Sequence, residues 1–399
     1  MSSFRSVSRP RLRVLHIVTV PDTLVFFTGQ AAYMRDRGVV LEVCASPGDA
    51  LFEFGASQEV AAHAVPMARR IAPVRDAASL TRLIHLVSAV RPHIVHCHTP
   101  KAGLLGVMAA RLLQVPSIVY QLHGLPLETA TGSLRRVLRA TEKLACSLSS
   151  RVLAVSDSLK EVALELDLTS PDKIGVLGRG SFNGVDSDRT FRPGSVSRDR
   201  AASLRATLGI PPQAPVIGFV GRIVRDKGVQ DLIDAWGALR VQHPDAHLVL
   251  VGPAEKDDAI LPNYMELVRG DSRIHTIGAV PQEALPTFYA AFDVLALPTH
   301  REGFGVVAIE AGAMELPVVA CRVTGCVDAI CDGVTGTLVP AREPGQLSAA
   351  LSRYLCDPEL AHTHGSAARR WVVKHFRREV LWDALYCEYR RLHERRNRS

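Results

Sequence analysis

Short apolar runs recur along this chain, each followed by a stretch whose apolar residues fall three and four apart. In the first half the runs predict strands over 13–18, 39–44, 94–97, 117–121, 152–154 and 173–177. The stretches between them predict helices over 30–37, 77–90, 102–113, 134–149 and 159–166. Such alternation predicts a parallel, doubly wound α/β sheet with ligands gathered at the carboxyl ends of its strands. The pattern begins again at 216–220 and continues through 247–251, 273–277, 294–297, 318–320 and 337–339. Between the halves, 183–215 is rich in Pro, Gly, Ser and Arg and reads as a linker with one short helix near 201–207. A last helix over about 378–396 carries Val380, Leu381, Leu385, Tyr386 and Tyr389. No internal repeat or low-complexity tract interrupts this plan.

The length, 399 residues, exceeds the roughly 250–300 at which single cores stop growing. Two domains are therefore expected, at 1–185 and 213–375, joined by 186–212 and followed by a helix over 376–399. No segment approaches the roughly 20 apolar residues that a spanning helix needs. The start resembles a signal peptide, with Arg5, Arg9, Arg11 and Arg13 ahead of apolar residues 12–20. Arg13 and His16 interrupt that run and no small-residue cleavage site follows, so a first β-strand is the better reading.

The eight cysteines are scattered, mostly in apolar stretches, as at Cys44, Cys97, Cys146 and Cys356. Cys321, Cys326 and Cys331 are evenly spaced but have neither a C-x2-C pair nor a histidine partner, which argues against zinc. Reduced thiols in the cytoplasm are expected. The net charge of +7 is concentrated at the N-terminus, over 135–143 and over 390–398. It suits an anionic membrane surface, a phosphate-bearing substrate or simply a basic, soluble surface. Nucleic acid is disfavoured, because no aromatic-basic interleaving or nucleic-acid module is present.

The chemistry concentrates around residues 294–314. The strand 294–297 is closed by Pro298, and Val306, Val307, Ile309, Ala313 and Met314 then fall at helical spacing until Pro317. Glu302, Gly303, Phe304 and Gly305 thus lie where a strand's carboxyl end meets a helix start, and Glu310 follows in the helix. Glycine backbone can present N–H groups to an anion there. Two carboxylates framing a phosphate cradle suit a ligand with both phosphates and hydroxyls, such as a nucleotide sugar. Two glutamates so spaced also occur by chance on helices; the strand, proline and glycines around them favour a site.

Gly221-Arg222-Ile223-Val224-Arg225-Asp226-Lys227-Gly228 follows the first strand of the second half. Arg222 offers a fork of donors and Lys227 a compact charge, a layout for a diphosphate, with Arg225 a weaker candidate. It is not a Walker loop. Gln121-Leu122-His123-Gly124 puts His123 at a sheet's carboxyl edge, where it either meets a ligand or is satisfied by nearby carbonyls. His96 and His98 share a strand face near His93, but no acidic third ligand accompanies them. Strand-end packing is expected there, with His98 and Lys101 open to a cleft.

The Glu302-x7-Glu310 element resembles the signature of the family 4 retaining glycosyltransferases. That resemblance implies the GT-B fold, two Rossmann-like doubly wound domains facing a central cleft, with the last helix returning to the N-terminal domain. Residues 99–106, 123–126 and 224–228 resemble the bacterial subgroup that builds capsule, exopolysaccharide or lipid-linked oligosaccharides. By resemblance, His123, Arg222, Lys227 and Glu302 are catalytic. The donor would meet Gly29, Gly221, Arg222, Lys227, Gly278, Glu302, Gly303, Phe304, Gly305, Val306 and Glu310. Glu302 would hold sugar hydroxyls and Glu310 the ribose, and the loop after 275–278 would contact the nucleobase.

There are departures. The family has a glycine pair where this chain has only Gly29, and Asp328 stands where a glutamate is usual. Asp186-Ser187-Asp188 resembles a D-x-D metal site but lies in a linker turn, and no cofactor or metal is expected. The implied reaction moves a sugar from a nucleotide diphosphate, UDP above all, to a polyprenyl-diphosphate-linked or glycan acceptor. The helix 134–149, with Arg135, Arg136, Arg139 and Lys143, would touch the inner face of the plasma membrane or simply pack on the core. A soluble acceptor, or 2-epimerisation of a UDP-sugar, would use the same architecture.

Overall fold

The computed structural model describes residues 12–396 apart from 69, 71, 256 and 257. Arg5, Arg9, Arg11 and Arg398 lie outside the described residues. The chain divides into two compact units, residues 1–178 with 379–399, and residues 179–378.

The first unit is built on β1 (Leu12–Ile17), β2 (Val39–Ala45), β3 (Ala61–Ala64), β4 (Ile94–His98), β5 (Ser117–Leu122), β6 (Arg151–Ala154) and β7 (Ile174–Val176). All pair in parallel, in the order β3-β2-β1-β4-β5-β6-β7. Strands covered on both faces read as nearly continuous apolar runs, which is why β1, β4 and β5 stand out in the sequence. β3 does not, because Ala-Ala-His-Ala is a short edge strand of low strand propensity. The order reverses between β1 and β4, with His16 in register with His96. Crevices for ligands form at such switch points.

The helix Arg378–Arg396 places Leu381, Leu385, Tyr389 and Leu392 in the core of this unit, against Leu12, Val14, Ile94, Val119 and Leu153. The helix Gly132–Leu148 buries Glu142, Ala145 and Cys146 and leaves Leu134, Val137 and Leu144 exposed.

The second unit holds β8 (Val216–Val220), β9 (His247–Val251), β10 (Ile274–Gly278), β11 (Val294–Leu297), β12 (Val318–Cys321) and β13 (Gly336–Val339). They too pair in parallel, in the order β10-β9-β8-β11-β12-β13, with the reversal between β8 and β11. Its core joins Ile217, Phe219, Leu232, Trp236, Leu248, Val294 and Leu351.

Residues 186–212, expected as a linker, lie within this second unit. The reason is side-chain bonding that periodicity cannot show. From the helix Arg198–Thr207, Arg205 donates to the carbonyls of Ala291 (2.9 Å) and Ala214 (3.1 Å) and pairs with Asp293 (3.0 Å). Arg369 donates to the carbonyls of Ser187 (3.2 Å) and Ala313 (2.6 Å), tying the segment to the sheet-covering helices.

The helix Val306–Ala313 leans on the helix Pro358–His375, where Gly312 meets Ala368 and Val372. A Cβ at Gly365 would overlap the Glu315 carbonyl, which cannot move away as a flexible side chain can. Gly365→Ala should therefore destabilise by about 1–3 kcal/mol, as overpacking does, outweighing the gain in helix propensity. Gly237→Ala, in an exposed helical position with nothing near its Cβ, should stabilise by about 0.5–1 kcal/mol. Opposite shifts of the thermal midpoint would check the pair; equal shifts would contradict this packing.

Candidate active site

The site of the second unit grows from the two loops that leave its switch point. After β8 the chain turns through Arg222 to Lys227 and enters the helix Val229–Gln242 at Gly228. After β11 it turns through Pro298 to Gly305 and enters the helix Val306–Ala313. Gly228 has φ +68°, and a Cβ there would overlap the carbonyl of Pro298, so the loops approach backbone to backbone. Only glycine combines that conformation with that contact.

Asp226 stitches the loops together. Its carbonyl accepts from the N–H of His300 (3.0 Å) and the hydroxyl of Thr299 (3.2 Å), and its carboxylate pairs with Arg301 (2.5 Å). His300 in turn meets Asp231 at 2.7 Å on the helix behind. These bonds set Lys227 opposite Glu302, and the two form an ion pair, each with about a fifth of its side chain exposed. The other cations of the loop face the segment after β9: Arg222 pairs with Glu255 (2.9 Å) and Arg225 with Asp258 (3.2 Å), both largely in solvent. Exposed pairs of this kind contribute about 0–1 kcal/mol and are readily exchanged for a ligand.

Gly305 has φ +79° and starts the helix Val306–Ala313, so the N–H groups from Gly303 to Val306 lie at a helix N-terminus. The ring of Phe304 is buried against Phe376 at 5.1 Å, leaving only its main chain for a ligand. Gly278 ends β10, with φ +81° and open space where a Cβ would stand.

Glu310 is almost fully buried. It accepts from the Tyr289 hydroxyl (2.8 Å) and the Gln282 amide (3.3 Å). Burial raises its pKa to about 7, against the opposing pull of those hydrogen bonds and of Arg378. Asp186 caps its own turn, accepting from Thr190 (2.7 Å) and the N–H of Arg189 (3.2 Å). Asp328 lies in the short helix Cys326–Ala329.

Gly29 and His123 belong to the first unit. Gly29 opens the helix Gln30–Arg35 with φ +85°, its N–H held by Gln58 at 2.7 Å. His123 follows β5, and its Nε2 lies 3.0 Å from Nδ1 of His98. His98 and Lys101 do not line an open surface. His98 is buried, its ring stacked on His16 at 5.2 Å and tilted against His96 at 4.2 Å, and Lys101 is spent on Asp76 at 2.5 Å. Cys356 is exposed at a helix end although its neighbours are apolar.

Asp226 and Arg301 were legible only as neighbours of Lys227 and Glu302. Tyr289, Gln282 and His16 carry no signal, since each reaches its partner from a distant part of the chain.

Residues 25–189 match Glycosyltransferase Family 4, and residues 201–371 match Glycosyl transferases group 1. The capsular polysaccharide biosynthesis glycosyltransferase CapM of Staphylococcus aureus is 32% identical over 377 residues, 94% of this chain and 96% of CapM. The chain belongs to glycosyltransferase family 4. It is a glycosyltransferase of the GT-B fold. A D-inositol 3-phosphate glycosyltransferase of Corynebacterium diphtheriae is 30% identical over 70% of this chain and 66% of that enzyme. Anabaena HepE, solved with UDP-glucose, shares the fold at a TM-score of 0.78 and 20% identity, over 94% of this chain and 98% of HepE.

The buried Glu310 makes a pH prediction. Its pKa is raised on folding from 4.5 to about 7, so the stability tied to its neutral form is complete below about 4.5. That stability is lost as pH rises to 7, by an amount of order 3 kcal/mol. Glu142, which accepts from Tyr120 at 2.7 Å in the first unit, is raised to about 7 by burial in the same way. Glu310→Gln should therefore gain thermal midpoint relative to wild type progressively between pH 5 and 8. Parallel curves for variant and wild type would contradict the assignment.

Proposed function

We propose that this glycosyltransferase moves a sugar from a UDP-sugar to a lipid-diphosphate-linked or polysaccharide acceptor, with retention at the anomeric carbon and without a metal. The observation that carries this reading is the Lys227–Glu302 pair at the switch point of the second unit, beside a glycine-rich helix start. A sugar diphosphate brings both charges and hydroxyls to that point. Lys227 and Arg222 would take the diphosphate, and Glu302, released from Lys227, would accept from sugar hydroxyls. Main-chain N–H groups from Gly303 to Val306 supplement the cations.

The bond from the sugar to the leaving phosphate breaks as the acceptor oxygen attacks from the same face. The acceptor's proton passes to the departing phosphate oxygen, which Arg222 and Lys227 stabilise as its charge grows. Glu310, steered by Tyr289 and Gln282, is assigned to the ribose, and Gly278 to the neighbourhood of the base. His123 is assigned to the donor sugar, and Gly29 to the loop beside it.

The cellular role, assembly of a capsule-type glycan, is taken from likeness to the capsular polysaccharide biosynthesis glycosyltransferase CapM, and a place at the inner face of the plasma membrane is proposed with it. The donor class is taken from HepE. No described helix is long and apolar enough to cross a membrane. Contact with anionic lipid is assigned to Leu134, Val137 and Leu144, exposed on a helix that also carries Arg135, Arg136, Arg139 and Lys143. Likeness to the D-inositol 3-phosphate enzyme supports a second reading, with a soluble acceptor.

Incubation with UDP-sugars and polyprenyl-diphosphate acceptors should release UDP and give a product heavier by one sugar, unchanged by EDTA. Lys227→Ala and Glu302→Ala should each lower kcat by about 10²–10³-fold. Unaltered turnover in both variants, or loss of activity on chelation, would remove the reading. Sedimentation with anionic vesicles should weaken about tenfold or more in Leu134→Ser/Val137→Ser/Leu144→Ser, as apolar burial at a lipid surface requires. No binding by the wild type would favour the soluble acceptor.

A further inference from the structure

A groove of about 530 Å³ opens in the first unit where β2 and β3 end. One wall is the helix Pro73–Val90, and the floor is the chain that leaves the two strands. Its two hydroxyls are used internally. That of Ser46 accepts from the N–H of Met67 (3.0 Å) and lies 2.7 Å from the Thr19 carbonyl. That of Ser79 lies 2.6 Å from the carbonyl of Pro66 and 2.8 Å from that of Arg75. The side chains left for a ligand on the floor are apolar: Pro47, Pro66 and Ala78, all exposed, and the buried Met67 among them.

The rim is the opposite. Arg75 and Arg82 line the groove from the helix, two turns apart and about 10 Å along its axis. Both are exposed, and among the described residues neither side chain makes an ion pair or a hydrogen bond. No carboxylate lines the groove, and Asp76, next in sequence to Arg75, is held by Lys101 at 2.5 Å. Guanidinium groups on flexible stems can converge on one diphosphate, each with a fork of parallel N–H···O bonds. Two uncompensated cations over an apolar floor fit an amphiphile whose anionic head is joined to a hydrocarbon chain. A sugar nucleotide fits poorly, because its hydroxyls and base would find no polar partner on that floor. The volume is that of a site for a drug-sized molecule, enough for a head group and a short length of chain.

We propose that this groove binds the diphosphate and first isoprene units of a prenyl-diphosphate acceptor, with Arg75 and Arg82 on the phosphates and Pro47, Pro66, Met67 and Ala78 against the chain. This role rests on the function proposed above, which calls for such a head group. The groove stands at the carboxyl edge of the sheet, where ligands gather. Ser46 bonds its floor to Thr19, on the loop that leaves β1 at the switch point.

Farnesyl diphosphate is a soluble probe of both halves of the ligand. It is titrated by calorimetry into the full chain beside pyrophosphate, with excess UDP present to fill the donor site. Farnesyl diphosphate should bind tenfold or more tighter than pyrophosphate, as burial of its chain requires. Arg75→Ala/Arg82→Ala should weaken it about tenfold or more. So should Ala78→Glu, an exposed helical position where a good helix former keeps the fold. With a prenyl-diphosphate acceptor, both variants should raise KM for the acceptor about tenfold and leave KM for the UDP-sugar within twofold. Equal affinity for farnesyl diphosphate and pyrophosphate, no binding of the probe, or unchanged binding in both variants would overturn the proposal. A dimer that dissociates in Arg75→Ala/Arg82→Ala would give the groove to a second copy of the chain and overturn it too. Transfer to prenyl-diphosphate acceptors with KM unmoved in the variants would remove the groove and leave the function. Probe binding at the groove without transfer from any sugar nucleotide would remove the function and leave the prenyl-diphosphate site standing.

Discussion

The bonds that Asp226 makes to the 299–301 segment are the constraint on which the second unit's chemistry depends. Lys227 and Glu302 are separated by seventy-five positions and by three strands of sequence. They meet because β8 and β11 are neighbours in the sheet and because the following loops are locked to each other at Asp226 and Gly228. Without that lock each side chain would have the freedom of a surface loop, and ordering either for a ligand would cost conformational entropy. The ion pair also neutralises both groups, so neither charge is left uncompensated in a partly buried place.

The two units solve the same problem with different chemistry. Each has a parallel sheet with a reversal of strand order, and each gathers its polar side chains where the order reverses. In the second unit these are charged and paired; in the first they are neutral, buried imidazoles strung between β1, β4 and the helix Arg378–Arg396. Charge suits the phosphate-binding role proposed for the second unit. Neutral rings bonded to one another suit an interior that carries no net charge.

Much of this was legible beforehand. The strands β8, β9, β11 and β12 are uninterrupted apolar runs, and a parallel sheet leaves few other readings of them. The position of Glu302 followed from Pro298 and the glycines, which punctuate the chain whatever packs around them. What escaped was set by contacts remote in sequence. Residues 186–212 look like a linker until Arg205 and Arg369 are seen to bond them to the second unit. His98 looked ready to face a cleft, but alternation along a strand cannot tell a ligand-facing position from one covered by His16 and Phe27, which come from a distant part of the chain. The ring of Phe304 turned inward for the same kind of reason, since Phe376 was there to receive it.

The place of the helix Arg378–Arg396 has a consequence for biosynthesis. It completes the core around β1, β4 and β5, yet a whole unit of about 200 residues is translated between the two parts. At about 5–20 residues per second the ribosome takes roughly 10–40 s to cross that interval. Throughout it, Leu12, Val14 and Ile94 have emerged while Leu381, Leu385 and Tyr389 have not been made. The nascent first half must wait with an uncovered apolar face, a natural docking point for a chaperone on the growing polypeptide.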